Sequence, residues 1–154
     1  MVISFRQRIF LRMKELGVSS RALCKDIGIN EPNFSAYLNG RRRLPYKDLE
    51  IILGYLGLVL SGGRIRDSIR FAMWEKGIGT NQLAEKCGLV TTSLSSFLTG
   101  QRGMGYEKIE KIADFLGLRL EPKKDFVFHS IFLDEKEAER QARLEEKRAQ
   151  NETS

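Results

Sequence analysis

Few side chains in this 154-residue sequence have the types and spacing that chemistry requires. Two cysteines, Cys24 and Cys87, and one histidine, His129, fall short of a metal cage. No phosphate-cradling glycine loop, nucleophile triad or paired carboxylates emerges, so neither catalysis nor a cofactor is expected. What stands out is cationic. Arg41, Arg42 and Arg43 run together, with Lys47 and Arg21 near them in sequence. Guanidinium groups in such a cluster suit phosphate, although a charge run is also an ordinary solvated loop. His129, set among apolar residues, reads as a packing residue. Cys24 and Cys87 read as buried thiols, because they align with Ala84 and Ile27. Trp74 aligns with Lys14, so core burial and packing against another surface stay equally open.

Overall charge supports a polyanion partner. The chain carries 26 basic and 20 acidic residues, a net of +6. Residues 1–60 contribute +5, residues 61–120 contribute +3, and residues 121–154 contribute −2. Hydrophobic residues make up 42 %, enough for a packed core. No apolar run approaches the roughly 20 residues that cross a bilayer. The opening MVISFRQRIFLRMK interrupts its apolar stretch with four basic residues, unlike a secretion signal. A cytoplasmic protein without membrane contact is expected.

The elements that must position these residues come twice. Residues 5–60 and 65–120 align without a gap and share 18 identities in 56 positions, among them Arg6/Arg66, Gly28/Gly88, Tyr46/Tyr106, Glu50/Glu110 and Leu60/Leu120. The chain is a tandem duplication. The first copy reads as four helices. Ile9, Met13 and Leu16 mark one that Gly17 ends, and Ser19 or Ser20 caps a second that Gly28 stops. Asn30 caps a third running to about Asn39, and Leu49, Ile52, Leu53 and Leu56 mark a fourth beginning near Tyr46. The second copy repeats the plan. Two short helices joined by a three-residue turn with glycine have helix-turn-helix spacing. A small residue four before that glycine, Cys24 or Ala84, lets the two helices approach.

LCKDIGINEPNFSAYLNGRRRLP and LAEKCGLVTTSLSSFLTGQRGMG, each followed by a Leu-Gly pair, resemble the phage-repressor helix-turn-helix family, termed XRE or Cro/lambda-repressor-like. The likeness covers about 116 residues and implies an all-α fold. It divides the chain into a domain at 1–60, a second at 61–120, and an extension at 121–154. It further implies a sequence-specific regulator of transcription on double-stranded DNA, a repressor in a bacterial, phage or plasmid setting, whose third helices enter the major groove. Carried over by position, the base-reading residues are Glu31, Pro32, Asn33, Ala36 and Asn39 in the first copy. In the second they are Thr91, Thr92, Ser93, Ser96 and Thr99. The start of the second helix contributes Ser20 and Arg21, or Thr80 and Asn81. Arg41, Arg42, Arg43 and Lys47, with Gln101 and Arg102, would hold backbone phosphate, and Tyr46 and Tyr106 would add a secondary phosphate contact. The hydroxyl face of the second copy favours base reading, and the arginines of the first favour affinity.

Between the copies, LVLSGGR stretches to roughly 23 Å, against about 34 Å between major grooves on one DNA face. With domain width added, one chain can act as a covalent pseudo-dimer. The alternative gives one copy to DNA and the other to homodimerisation. After Leu120 the register is lost, and LRLEPKKDFVFHS allows two short extended pieces paired as a hairpin or with another chain. Residues 134–149 are rich in helix formers but lack an apolar stripe, so a solvated, fraying helix is expected. A competing reading makes the chain an antitoxin-type or adaptor protein, with residues 126–154 gripping a protein partner.

Overall fold

The computed structural model describes residues 4–152. The described residues are mostly helical, with one small two-stranded sheet. Four helices come first: α1 (Phe5–Leu16), α2 (Ser20–Ile27), α3 (Glu31–Leu38) and α4 (Tyr46–Leu56). A short strand β1 (Leu58–Leu60) leads into four more: α5 (Ile65–Lys76), α6 (Thr80–Cys87), α7 (Thr91–Leu98) and α8 (Tyr106–Leu116). Strand β2 (Leu120–Pro122) and the long α9 (Ile131–Glu152) complete the chain. Helix lengths of 12, 8, 8 and 11 residues recur in that order in α1–α4 and α5–α8.

Local chemistry sets the helix ends. Ser4 Oγ accepts from Gln7 N at 3.1 Å while Gln7 Oε1 accepts from Ser4 N at 3.0 Å, a reciprocal cap on α1. Ser19, rather than Ser20, caps α2 by accepting from Ala22 N, and Asn30 caps α3 by accepting from Asn33 N. The turn between α2 and α3 depends on Gly28, at φ 72°, and its counterpart Gly88 sits at φ 66°. A Cβ is strained in that left-handed conformation, so the α2–α3 angle rests on glycine.

Apolar positions repeated at helical spacing meet inside. Ile9, Leu23, Phe34, Leu49, Ile52 and Leu56, with Ile69, Leu83, Leu94, Ile109, Ile112 and Leu116, are at most 2 % exposed. Burying each such side chain contributes about 1.5–3 kcal/mol. The buried residues of both four-helix sets form one continuous cluster. Cys24 and Cys87 lie within it as free thiols, as their alignment implied. Burial pushes the Cys24 thiol up to about 11 and raises that of Cys87, so both stay protonated and unreactive near neutral pH.

Several features after Leu56 differ from expectation. Instead of folding into a hairpin beyond Leu120, β2 pairs antiparallel with β1, in the register Leu58↔Pro122, Val59↔Glu121 and Leu60↔Leu120. Three-residue strands carry too little pattern to announce a partner 60 residues away. Residues 123–130 then run as a strap over α1–α4. Lys123 N donates to Gly57 O at 2.7 Å, and the Phe126 ring lies against Gly57, where any Cβ would strike it. Arg12 stands 5.7 Å above that ring, and Phe128 meets Tyr55 edge-on at 5.3 Å. The Asp26 carboxylate fastens the strap, accepting from Ser130 Oγ, from Tyr55 Oη and, at 2.8 Å, from Phe132 N. Burial raises the Asp26 carboxyl, but those hydrogen bonds outweigh it and hold the group below its ordinary value.

His129 does not pack. It is exposed and pairs with Asp134, Nδ1 to Oδ2 3.3 Å. Trp74 is 77 % exposed and touches Phe71 at 5.9 Å between ring centroids, which removes the core-burial reading. The C-terminal residues form a helix continuous through Glu152, with pairs such as Arg140–Glu137 along it and no buried residue. No described helix is long and apolar enough to cross a membrane.

Candidate functional site

The third helices present the polar residues singled out by sequence. On α3, Glu31, Pro32 and, just past its end, Asn39 are exposed, while Asn33 and Ala36 are half-buried. On α7, Thr91, Thr92 and the following Thr99 are exposed, with Ser93 and Ser96 half-buried. Their opposite faces anchor the helices through Phe34 and Tyr37, and through Leu94, Phe97 and Leu98. At the starts of α2 and α6, Arg21 and Asn81 are exposed, and Ser20 and Thr80 are half-buried. Arg41, Arg42, Arg43, Lys47, Gln101 and Arg102 are all exposed.

Several of these groups are pre-positioned. Arg42 Nη1 donates to Asn33 Oδ1 at 2.7 Å, tying the basic loop back onto α3. Thr99 Oγ1 donates to Ser96 O at 3.2 Å, and that carbonyl also accepts from Gln101 N and Arg102 N. Arg21 is partly engaged elsewhere, with its guanidinium 5.9 Å above the Phe132 ring at the start of α9.

The two helical sets meet through contacts that come in exchanged pairs. Tyr37 of α3 meets Tyr106 of α8 edge-on, with ring centroids 5.1 Å apart and planes at 86°. Tyr46 of α4 meets Phe97 of α7 at 5.1 Å and 90°. Tyr37 aligns with Phe97 and Tyr46 with Tyr106, so each contact is the other with the halves exchanged. A second exchanged pair is polar. Arg66 Nη1 lies 3.6 Å from Glu50 Oε1, and their duplicates Arg6 and Glu110 also interact electrostatically, while Glu110 Oε1 accepts from Phe5 N at 2.7 Å. The strand pair Leu60↔Leu120 joins a residue to its own duplicate. Such self-complementary contacts define an approximate twofold axis, as in a symmetric dimer, here within one chain.

This junction includes residues that carried no assigned role or a different one. Tyr46 and Tyr106 start α4 and α8 as expected, and their side chains are largely buried in the junction, at 8 % and 9 % exposed. Burial raises both phenols, so they remain uncharged. Arg66 positions the loop after α7: Nε donates to Phe97 O at 2.7 Å and Nη2 to Arg102 O at 2.9 Å, with the guanidinium 4.6 Å above Tyr46. Its duplicate Arg6 lies against Gly40. The available clue was identity across the repeat, since Arg6/Arg66, Tyr46/Tyr106 and Glu50/Glu110 are among the positions duplication left unchanged. One consequence concerns charge. Lys47 of the first half and Gln101 and Arg102 of the second line one open cleft of about 380 Å³, with Arg66 on its wall. Sequence-distant cationic groups thus converge beside the axis.

Among the described residues no three His, Cys, Asp or Glu side chains gather to hold a metal ion. No family model, curated protein or solved structure matches the chain.

Proposed function

We propose that the chain is a tandem helix-turn-helix protein that binds double-stranded DNA sequence-specifically, with α3 and α7 in successive major grooves, and regulates transcription as a repressor. The observation that carries this reading is the set of exchanged contacts about the junction. Duplicated third helices related by a twofold axis are what a pseudo-palindromic site requires. The last turn of each carries the ring that crosses the axis, leaving the N-terminal turns, with Glu31 and Asn33 or Thr91 and Thr92, for base edges. An eight-residue helix is about 12 Å long. Laid end to end across a packing layer of about 10 Å, two such helices would match the roughly 34 Å groove repeat. Arg41, Arg42, Arg43 and Lys47, with Gln101 and Arg102, then face the phosphates between the half-sites. Blocking polymerase by occupying the site would give repression.

Selection of bound fragments from a random duplex library, at two salt concentrations, tests the reading. Enrichment of a two-part site supports it. Binding that is steep in salt but without enrichment would reduce the protein to a basic scaffold. A second reading, an adaptor or antitoxin-type protein gripping a partner through residues 126–154, is favoured by one observation. From Asp134 to Arg148 every residue of helix α9 is exposed, so that stretch presents a long solvent-facing surface.

A further inference from the structure

The strap 123–130 makes the two halves unequal, because it covers α1–α4 and no segment among the described residues covers the matching surface of α5–α8. In the first half the strap seats Phe126 on Gly57, Phe128 on Tyr55, and Ser130 on Asp26. The counterparts of those seats are Gly117, Phe115 and Lys86. At Ser61–Gly63 the chain turns away into α5, leaving an open groove of about 510 Å³ whose lining includes Gly117, Ala72, Phe71, Asp67, Glu75 and Lys76. Ala72 replaces Arg12, whose guanidinium covers Phe126 in the first half, so no such guanidinium closes over this groove. Phe71 of the lining meets Trp74, ring centroids 5.9 Å apart, and the two are 60 % and 77 % exposed; Phe115, the counterpart of Tyr55, is 42 % exposed. Contiguous aromatic surface of this kind marks binding sites, and tryptophan is a favoured anchor.

Charge decides the occupant. Asp26 accepts the hydroxyl and backbone N–H at the positive end of α9. Lys86, in its place, repels a helix N-terminus and offers only donors. The strap of a second copy is therefore mismatched, and an arriving segment must bring an acceptor. We propose that this groove docks an extended segment of a protein partner carrying aromatic side chains at positions i and i+2 and a carboxylate at i+4. That spacing is the one the strap itself uses at Phe126, Phe128 and Ser130. The assignment is independent of DNA binding.

The test titrates the full chain with two synthetic peptides, residues 125–132 as they stand and the same peptide with Ser130→Glu. Trp74, the single tryptophan, reports through its emission. The glutamate peptide should give a saturable blue shift and bind about tenfold more tightly than the parent, a difference of about 1.4 kcal/mol. The exposed Lys86→Asp substitution should reverse that preference without touching the core. Three results would overturn the proposal. They are no saturable change with either peptide up to about 1 mM, where even weak recognition registers, a preference unaffected by Lys86→Asp, or self-association abolished by Trp74→Lys, which would make a second copy the occupant.

Discussion

Tyr106→Ala is the substitution that bears most directly on the junction. Tyr106 begins α8 in the second half, yet its ring meets Tyr37 at the end of α3 in the first. Truncating a buried aromatic residue costs about 3–5 kcal/mol through lost burial and the cavity left behind. Of that, about 0.5–1.5 kcal/mol belongs to the edge-on ring pair. A whole protein of this size holds about 5–15 kcal/mol, so the loss is a large fraction of it. The consequence that distinguishes a junction from an ordinary core position is where the loss is felt. Hydrogen exchange read by peptide should show protection falling in α3 and α4 as much as in α8. Denaturation should remain a single transition. A double-mutant cycle of Tyr106→Leu with Tyr37→Leu should return a coupling of about 0.5–1.5 kcal/mol. Coupling near zero, or protection lost only in α5–α8, would refute the idea that the halves form one body.

Other outcomes follow from single sites. Tyr37→Phe should leave stability unchanged or raise it by up to about 1 kcal/mol in a denaturant titration, because the buried Tyr37 hydroxyl has no hydrogen-bond partner among the described residues and Phe97 fills the equivalent place. Asp26→Asn should free the strap, speeding exchange at 126–133 and costing about 1.5–3 kcal/mol, the range for bonds to a charged acceptor. In the native protein that contribution is complete above the unfolded carboxyl value of about 3.9. Because the folded Asp26 value is depressed, the contribution is lost as pH falls through it, and an acid titration of strap protection checks the sign. On DNA, Thr91→Ala with Ser96→Ala should reduce discrimination between sequences by about 1–3 kcal/mol more than it weakens random binding. Arg41→Gln with Arg42→Gln should weaken both alike and lower the salt slope by about 2. Equal effects from both pairs would end that division of labour.

The repeated helices were legible because their determinants are local. Ser19 and Asn30 cap, Gly17 and Gly28 stop, and the apolar spacing picks out Ile9, Leu23 and Leu49. What sequence did not disclose is how the halves meet. Periodicity shows that Tyr46 and Tyr106 begin helices, but their burial depends on Phe97 and Tyr37 arriving from the other half. The strap was hidden for a similar reason. Gly57 ends α4 whatever lies above it, and only the folded chain shows the Phe126 ring against it. Asp26 likewise reads as a helix-surface charge until Ser130 and Phe132 reach it. His129 misled because apolar neighbours such as Val127 and Ile131 are themselves exposed, at 85 % and 60 %.

The most direct test of DNA reading by both halves is a spacing series. Two copies of the selected half-site are placed at centre-to-centre distances from about 5 to about 15 base pairs, and binding and stoichiometry are measured for each. The account predicts one chain per site and tightest binding near 10 base pairs, with affinity falling at least about tenfold when the half-sites move to opposite faces of the duplex. Affinity independent of spacing, or two chains on the best site, would contradict it.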